Sequence, residues 1–158
     1  MKQFLKFSGL IALGLALVGF ILFMATPAIT YDGNTAAAGA DALFGRSTIL
    51  VDIKPSALAL IAWILILVAL LALAFMSIMM FAKKDFYEKF GNLFAIIIAI
   101  AFILAAVFSF FTIPTYFSAN GVDSVPDGYA LGVGWIIGAI LVILAGGLSL
   151  LPVIMKKK

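Results

Sequence analysis

The sequence predicts an all-α membrane protein, an antiparallel four-helix transmembrane bundle, and three observations support this prediction. The 158-residue chain is 66% hydrophobic and only 11% charged, whereas globular proteins are about half apolar and a quarter charged. Four uncharged runs are each long enough to cross a bilayer, which takes about 20 residues. Eight of the ten basic residues would lie on one side of the membrane if all four runs cross it.

The first predicted span covers residues 7–26, whose centre is aliphatic or aromatic with interleaved glycines. The basic residues within positions 1–6 and the small residues around Thr26 and Ala28 leave one alternative, a secretory signal peptide cleaved near residue 28. We expect a retained span, because the apolar run exceeds the usual signal-peptide core of about 7 to 15 residues.

The first loop, residues 27–55, is the longest polar segment of the chain. Asp32-Gly33-Asn34 is a turn signal, and the β-branched residues between Ser47 and Lys54 predict a short β-strand. An isolated strand is only marginally stable. We therefore expect this strand to pair within its own loop or with the later one.

Three further spans are predicted at about residues 56–82, 93–113 and 130–155. The first of these opens behind Pro55, a residue suited to a helix start. A charged segment over residues 83–92 separates the second and third spans, and we predict that it forms a turn. Residues 114–129 form the second loop, which contains two turn signals, Ser118-Ala119-Asn120-Gly121 and Val125-Pro126-Asp127-Gly128.

The lysine distribution sets the predicted orientation, because Lys and Arg collect at the cytoplasmic ends of spans. The N-terminus, the 83–92 turn and the C-terminus carry Lys2, Lys6, Lys83, Lys84, Lys89, Lys156, Lys157 and Lys158. The opposite side carries only Arg46 and Lys54. We expect a multi-pass protein of a bacterial-type plasma membrane, with a cytoplasmic N-terminus, a cytoplasmic C-terminus and both polar loops outside.

Each span has one face of small residues, which allows helix backbones to approach closely within a membrane. At about 100° per residue, these faces comprise Gly9, Ala12, Ala16 and Gly19; Ala59, Ala62 and Ala69; Ala95, Ala99, Ala106 and Ser109; and Gly134, Gly138, Ala145 and Ser149. Phe102 intrudes on the third face. Gly134 and Gly138 also form a GxxxG motif, which serves either dimerisation or, as we expect, internal packing.

The sequence offers little catalytic or ligand-binding chemistry. It contains no Cys and no His, which removes thiolate nucleophiles, sulfur ligands and the commonest proton shuttle. No charged residue lies within a predicted span, whereas intramembrane charges usually mark proton relays and ion paths. Residues 123–128 resemble the start of a calcium loop, but Val125 and Gly134 occupy positions that require ligands. We predict no catalytic, cofactor-binding or metal-binding residues, no cofactor and no enzymatic activity.

Four spans, cytoplasmic termini and a long first loop with a strand resemble, in outline, the claudin and peripheral-myelin type of tetraspan protein. The first loop of that family carries a Trp, a Gly-Leu-Trp motif and a disulfide pair. This chain has Ala42-Leu43-Phe44-Gly45 there, with no Trp and no Cys in the loop. We therefore carry over no residue role and no function.

The expected function is that of a non-enzymatic structural, assembly or accessory subunit, which works through helix packing and its outer loops. The expected partners are the lipid bilayer and a membrane protein or further copies of the chain. Nucleic acid is not expected, because the lysines lie at span ends rather than in a basic stripe. The alternative is a passive pore or holin-like channel formed by oligomerisation, which needs a continuous polar stripe.

Any cytoplasmic contact should involve Lys83, Lys84 and Lys89, which belong to the largest segment predicted on that side. Anionic lipid headgroups compete with a soluble protein as the partner of these lysines.

Overall fold

A computed structural model of the chain describes residues 2–50, 52–82 and 84–156. Within this part the protein is mostly helical. The four long helices are α1 (Lys2–Ala25), α3 (Ala57–Ala82), α4 (Lys84–Phe110) and α6 (Val133–Lys156), and the two short ones are α2 (Gly39–Phe44) and α5 (Thr112–Ala119). All four long helices are long and apolar enough to cross a membrane.

Four helix bounds differ from the predicted spans by more than one residue. α1 begins at Lys2 rather than at residue 7, and α6 begins at Val133 rather than at residue 130, because Tyr129–Leu131 form a strand. The other two bounds are the start and the end of α4.

Residues 84–92, predicted to form a turn, are instead the first turns of α4, and Lys83 lies outside the described residues. A prediction from hydropathy ends a span at the first charged residues, whereas the backbone hydrogen bonds of a helix can continue through them. Asp85 in the first turn of α4 is favourably placed beside the positive end of the helix dipole.

The fourth difference concerns the end of the third span. α4 ends at Phe110, and part of the predicted loop 114–129 belongs to the separate helix α5. Pro114 lies in the first turn of α5, where its missing N–H has no intrahelical acceptor to lose. The proline therefore belongs to the start of a new helix rather than to the end of the span.

Five strands lie in the described connections: β1 (Pro27–Tyr31), β2 (Asn34–Ala38), β3 (Arg46–Ser47), β4 (Asp52–Ile53) and β5 (Tyr129–Leu131). β2, β1 and β5 form an antiparallel sheet in that order, and β3 pairs with β4 in a separate short hairpin. The prediction of one strand between Ser47 and Lys54 is therefore wrong. This segment contains the end of β3 and all of β4, which pair with each other within the first loop.

The turn signal at Asp32 and Gly33 is confirmed, because these residues connect β1 to β2. Both have positive φ angles, 47° and 79° respectively. Two-residue hairpin turns of type I′ require this left-handed conformation at both central positions, which Asp and Gly adopt readily.

The two loops form one unit, which we call the cap and define as residues 26–56 and 111–132. β1 from the first loop pairs with β5 from the second, with Ile29 opposite Leu131 and Tyr31 opposite Tyr129. α2 contacts α1 and α3, while α5 contacts α3 and β5. The cap therefore joins the ends of all four long helices.

Small side chains fill the space between the long helices. α1 packs along α6 and α3, and α4 packs along α3 and α6. The four predicted small-residue faces are buried, except that Gly9, Ala95 and Gly134 are only half-buried. Phe102, which interrupts the third face, is fully buried.

The GxxxG glycines of α6 are used within the molecule. A Cβ at Gly19 of α1 would lie 2.9 Å from the carbonyl oxygen of Gly138. A Cβ at Gly134 would lie 2.5 Å from the side chain of Thr26 at the end of α1. Gly134 and Gly138 therefore let α6 approach α1 and the residue that follows it closely. This is the internal packing that we expected of the GxxxG motif.

Candidate functional site

The buried polar residues, among those whose burial is described, all carry hydroxyl groups. The buried polar side chains there are Ser8, Ser56, Ser109, Thr112 and Ser149. Ser109 donates to the carbonyl oxygen of Ala106 and Ser149 to that of Gly146, each at 2.7 Å. Such bonds to the same helix satisfy a hydroxyl without activating it as a nucleophile. The described residues also contain no cluster of three carboxylate, His or Cys side chains that could hold a metal.

A small cavity lies between the four long helices, at the end opposite the cap. Its volume is about 40 Å³, and its lining includes Gly9, Ser77, Tyr87, Gly91 and Ser149. One water needs about 10–15 Å³ measured this way, while ligand pockets usually have about 300–1,000 Å³. The cavity can therefore hold a few water molecules, but it is too small for a lipid or a substrate.

The cap is the candidate functional site, and its junction with the long helices depends on glycine. A Cβ at Gly132 would overlap the carbonyl oxygen of Pro27, and a Cβ at Gly39 would overlap that of Phe23. Backbone bonds accompany these contacts: Gly132 N donates to Ala28 O and Gly39 N to Thr26 O, both at 3.0 Å. The sheet is thereby held directly against the end of α1.

Asn120 joins the second loop to the segment that precedes α3. The backbone N–H of Lys54 donates to Asn120 Oδ1 at 2.8 Å, and Asn120 Nδ2 donates to the Lys54 carbonyl at 3.0 Å. The same Nδ2 donates to the Tyr116 carbonyl at 2.8 Å. A side-chain amide with one acceptor and two donor hydrogens can thus satisfy the backbone of Lys54 as a neighbouring strand would.

Ser56 makes a second connection at the start of α3. Its hydroxyl accepts from the backbone N–H of Ala59 at 3.3 Å, an N-cap interaction. The same hydroxyl lies 2.5 Å from Thr115 Oγ1 of α5, and the Ser56 N–H donates to the Ala42 carbonyl of α2 at 2.8 Å. One residue therefore links α2, α3 and α5.

Aromatic rings fill the cap and the space beneath it. Tyr129 lies between Tyr31 and Phe117, with both ring centroids 4.8 Å away. Below them, fully buried Trp135 meets Phe23 edge to face at 4.6 Å and donates from Nε1 to the Ser109 carbonyl at 3.3 Å. Trp135 thus ties α6 to α1 and α4 directly under the sheet.

One ionisable group of the cap has a shifted pKa. Burial, and after it the negative charge of Asp41, raise the pKa of Tyr116 above its usual value near 10. Asp41 is also within 4.0 Å of Arg46 Nη1, which is the limit of an ion pair. α5 and α2 are therefore close enough to interact electrostatically.

Sequence reasoning named no site residue and did not identify the residues that assemble the cap. The sequence places Asn120 only in a turn signal, because a small polar residue before Gly is typical of a turn. Its partner Lys54 is 66 residues away. No local pattern reports such a contact, nor the close approach at Gly132.

The fold and the cap define the class of the molecule: a chain with four helices able to cross a membrane and a cap of short strands and helices that connects their ends. Comparisons with protein-family models, with curated proteins and with solved structures found no match.

Proposed function

We propose that the protein is a non-enzymatic structural, assembly or accessory subunit of a membrane assembly, and that the cap is its docking surface. The pairing of β1 with β5 is the observation that supports this role, because it makes one surface from loops 100 residues apart. The bonds of Asn120 and Ser56 and the contacts of Gly132 hold that surface against the helices. The buried hydroxyls of Ser109 and Ser149 donate to carbonyl oxygens of their own helices, which does not activate them as nucleophiles.

The proposed setting is a bacterial-type plasma membrane, with the four long helices as an antiparallel bundle and both termini in the cytoplasm. The basic residues favour this orientation, since only Arg46 and Lys54 belong to the cap. We also propose that α1 is retained. Cleavage near residue 28 would remove the helix that packs along α6 and would cut β1.

The alternative, a passive pore or holin-like channel formed by oligomerisation, requires polar helix surfaces between copies. The described helices instead expose large apolar side chains such as Leu71 and Ile97. These surfaces are suited to lipid tails. The docking role therefore has more support than the pore.

The test is to purify the chain in mild detergent from its native membrane beside two variants. Thr35→Lys with Ala36→Lys places two charges on the exposed edge of β2. Val68→Leu alters the exposed face of α3 and is the control. We expect a stoichiometric membrane-protein partner with the wild type and the control, which the β2 variant loses.

Two results would contradict the docking role. One is the same set of co-purifying proteins for all three forms of the chain. The other is conductance of the purified chain in planar bilayers, above an empty-vesicle control, which would favour the pore.

A further inference from the structure

The tip of the β3–β4 hairpin carries the most exposed large apolar side chains in the described residues. Ile49 is 104% exposed and Leu50 is 92% exposed, whereas Val133, the next in order, is 72% exposed. Removing such a side chain from water is favourable, roughly in proportion to the apolar area that is covered. Two adjacent examples at the end of a hairpin indicate a surface that something covers.

Phe44, the last residue of α2, gives the position of the start of the hairpin relative to the long helices. Its ring meets Trp63 edge to face at 5.3 Å, and Trp63 stacks on Phe20 of α1 at 4.7 Å. Trp63 lies six residues after Ala57, the first residue of α3, which corresponds to about 9 Å along the helix axis. The half-exposed Phe44 ring therefore lies on the flank of the long helices, below their capped ends.

The hairpin starts two residues after Phe44 and stays close to the start of α3. A Cβ at Gly45 would lie 2.6 Å from the Ile53 carbonyl oxygen and 3.0 Å from Pro55 Cδ. At about 3.3 Å per residue, the four residues from Arg46 to Ile49 extend at most about 13 Å from this root. The headgroup layer on each side of a bilayer is about 5–7 Å thick. The tip is thus within reach of that layer.

The hairpin also has the chemistry of an amphiphile-binding surface. Arg46 is 62% exposed at the base of the hairpin. Arg46, Thr48, Leu50 and Ile53 line an open, mainly apolar groove of about 290 Å³. A guanidinium ion binds phosphate well, and aliphatic side chains beside a basic residue are typical of segments that lie in the membrane interface.

We propose that the hairpin tip is an interfacial anchor, which inserts Ile49 and Leu50 into the headgroup and upper acyl region of the membrane that the four helices cross. Arg46 then lies at the level of the lipid phosphates. This inference goes beyond the docking role of the cap and rests only on the membrane assignment. The charge of Arg46 and the continuity of the hairpin with the Phe44 and Trp63 surface favour lipid over a protein as the occupant.

The test uses the absence of cysteine from the chain. Single cysteines are introduced as Leu50→Cys at the tip, Leu71→Cys on the exposed face of α3 and Ser124→Cys in the second loop. Each variant is labelled with an environment-sensitive fluorophore and placed in phosphatidylcholine nanodiscs, one copy per disc. Quenching is then measured with lipids that carry a spin label on the headgroup, near the top of the acyl chain or deep within it.

We expect the probe at position 50 to be quenched by the headgroup and shallow labels, and the probe at position 71 by the deep label. The probe at position 124 should remain unquenched. A position-50 probe that behaves like the one at 124, while position 71 is quenched, overturns the anchor but not the membrane assignment. Failure of quenching at position 71 as well would overturn the membrane assignment itself. A position-50 probe shielded from water but not quenched by lipid would lie against the chain's own surface, and this result would also overturn the anchor.

A measurement on the unlabelled wild type removes the concern that the fluorophore itself enters the membrane. Nanodiscs containing a phospholipid with a photoreactive acyl chain are irradiated, and the adducts are mapped by mass spectrometry. We expect adducts on Ile49 or Leu50 as well as on the long helices. Adducts on the helices alone would overturn the anchor.

Discussion

Individual glycines matter in this molecule where two backbone segments meet. Gly132 faces a carbonyl oxygen of β1 and Gly39 one of α1. Around the Cβ positions of Gly14 and Gly147, by contrast, no heavy atom lies within 4 Å apart from their own stretch of helix. The φ angle of Gly132 is not in the left-handed region. Position 132 therefore requires glycine because of its close contact with Pro27, and not because of its backbone conformation.

Gly132→Ala should destabilise the protein, because the added methyl would overlap the Pro27 carbonyl, a backbone group that cannot rotate away. Overpacking usually costs about 1–3 kcal/mol, and we expect a loss at the upper end of that range. Gly14→Ala on the open face of α1 is the matched control and should leave the thermal midpoint in detergent unchanged or slightly higher. Equal midpoints for the two variants would show that the junction is not tight.

Asn120→Ala removes three hydrogen bonds, two of them to Lys54. At about 0.5–1.5 kcal/mol net per bond, we expect the free energy of unfolding to fall by about 1–3 kcal/mol. Hydrogen exchange at the Lys54 amide should accelerate, since its acceptor is gone. Asn34→Ala, which removes only an exposed 3.4 Å bond, is the control. Unchanged Lys54 protection in Asn120→Ala would contradict the assigned contact.

Tyr116 should titrate at a higher pH than a free tyrosine. Its raised pKa means that the folded state holds the phenol proton more tightly than the unfolded chain does. The stability from this group is therefore fully present below about pH 10, and it is lost as the pH rises through the folded-state pKa. The tyrosinate absorbance of the wild type minus that of Tyr116→Phe measures this titration. A midpoint at or below that of free tyrosine would contradict the burial of the phenol.

At the scale of elements, the cap depends on β1, which is the central strand between β2 and β5. β5 has only three residues, and a two-stranded ribbon is at best marginally stable alone. The short strands therefore need their contacts with the neighbouring helices, those of β1 with α2 and α6 and that of β5 with α5.

Engineered disulfides should report the strand order. Thr30 is opposite Ala130 on one side and opposite Thr35 on the other. Directly opposed residues of antiparallel strands lie about 4.5–5.5 Å apart at Cα, which a disulfide can span. Thr30→Cys with Ala130→Cys should therefore crosslink, as should Thr30→Cys with Thr35→Cys.

Thr35→Cys with Ala130→Cys is the control for strand order. Thr35 lies in β2 and Ala130 in β5, and β1 lies between these two strands. The two residues are therefore about 9–10 Å apart across the sheet, and this pair should stay reduced. Non-reducing gels read all three pairs. An efficient crosslink in the control pair would contradict the order β2-β1-β5.

The sequence predicts the features of this fold that are encoded locally. Long apolar runs predict the four long helices, and Asp32-Gly33 predicts the hairpin turn. Hydropathy reports exposure to lipid rather than backbone hydrogen bonding, so it could not show that α4 begins within the charged segment at Lys84. The β1–β5 pairing and the Asn120 contact join distant segments, which no window of sequence contains.

At the scale of the whole molecule, polar and charged side chains are divided between two ends, and the long helices separate these ends. The cap contains Asp41, Arg46 and Asp52, while the beginning of α4 contains Asp85 and Lys89. Such a division is what a membrane imposes on a multi-pass chain.

Cysteine accessibility should show on which side each end lies. Ser124→Cys in the cap should react with a membrane-impermeant maleimide in intact spheroplasts. Asp85→Cys, at the exposed start of α4, should react only after the membrane is permeabilised, because the basic residues favour a cytoplasmic position for it. The reverse pattern would invert the proposed orientation, and equal labelling before permeabilisation would argue against a membrane between the two sites.

The β1–β5 pairing also has a consequence for the order of events during synthesis. Thr30 and Ala130 are 100 residues apart. At a translation rate of about 5–20 residues per second, β1 leaves the ribosome about 5–20 seconds before β5 does. During that interval the edge of β1 that β5 later covers has unpaired backbone groups, and such an edge can pair with another chain. The interval in which the first loop has emerged but β5 has not is therefore the stage at which a chaperone, or the insertion machinery itself, would have to protect this protein.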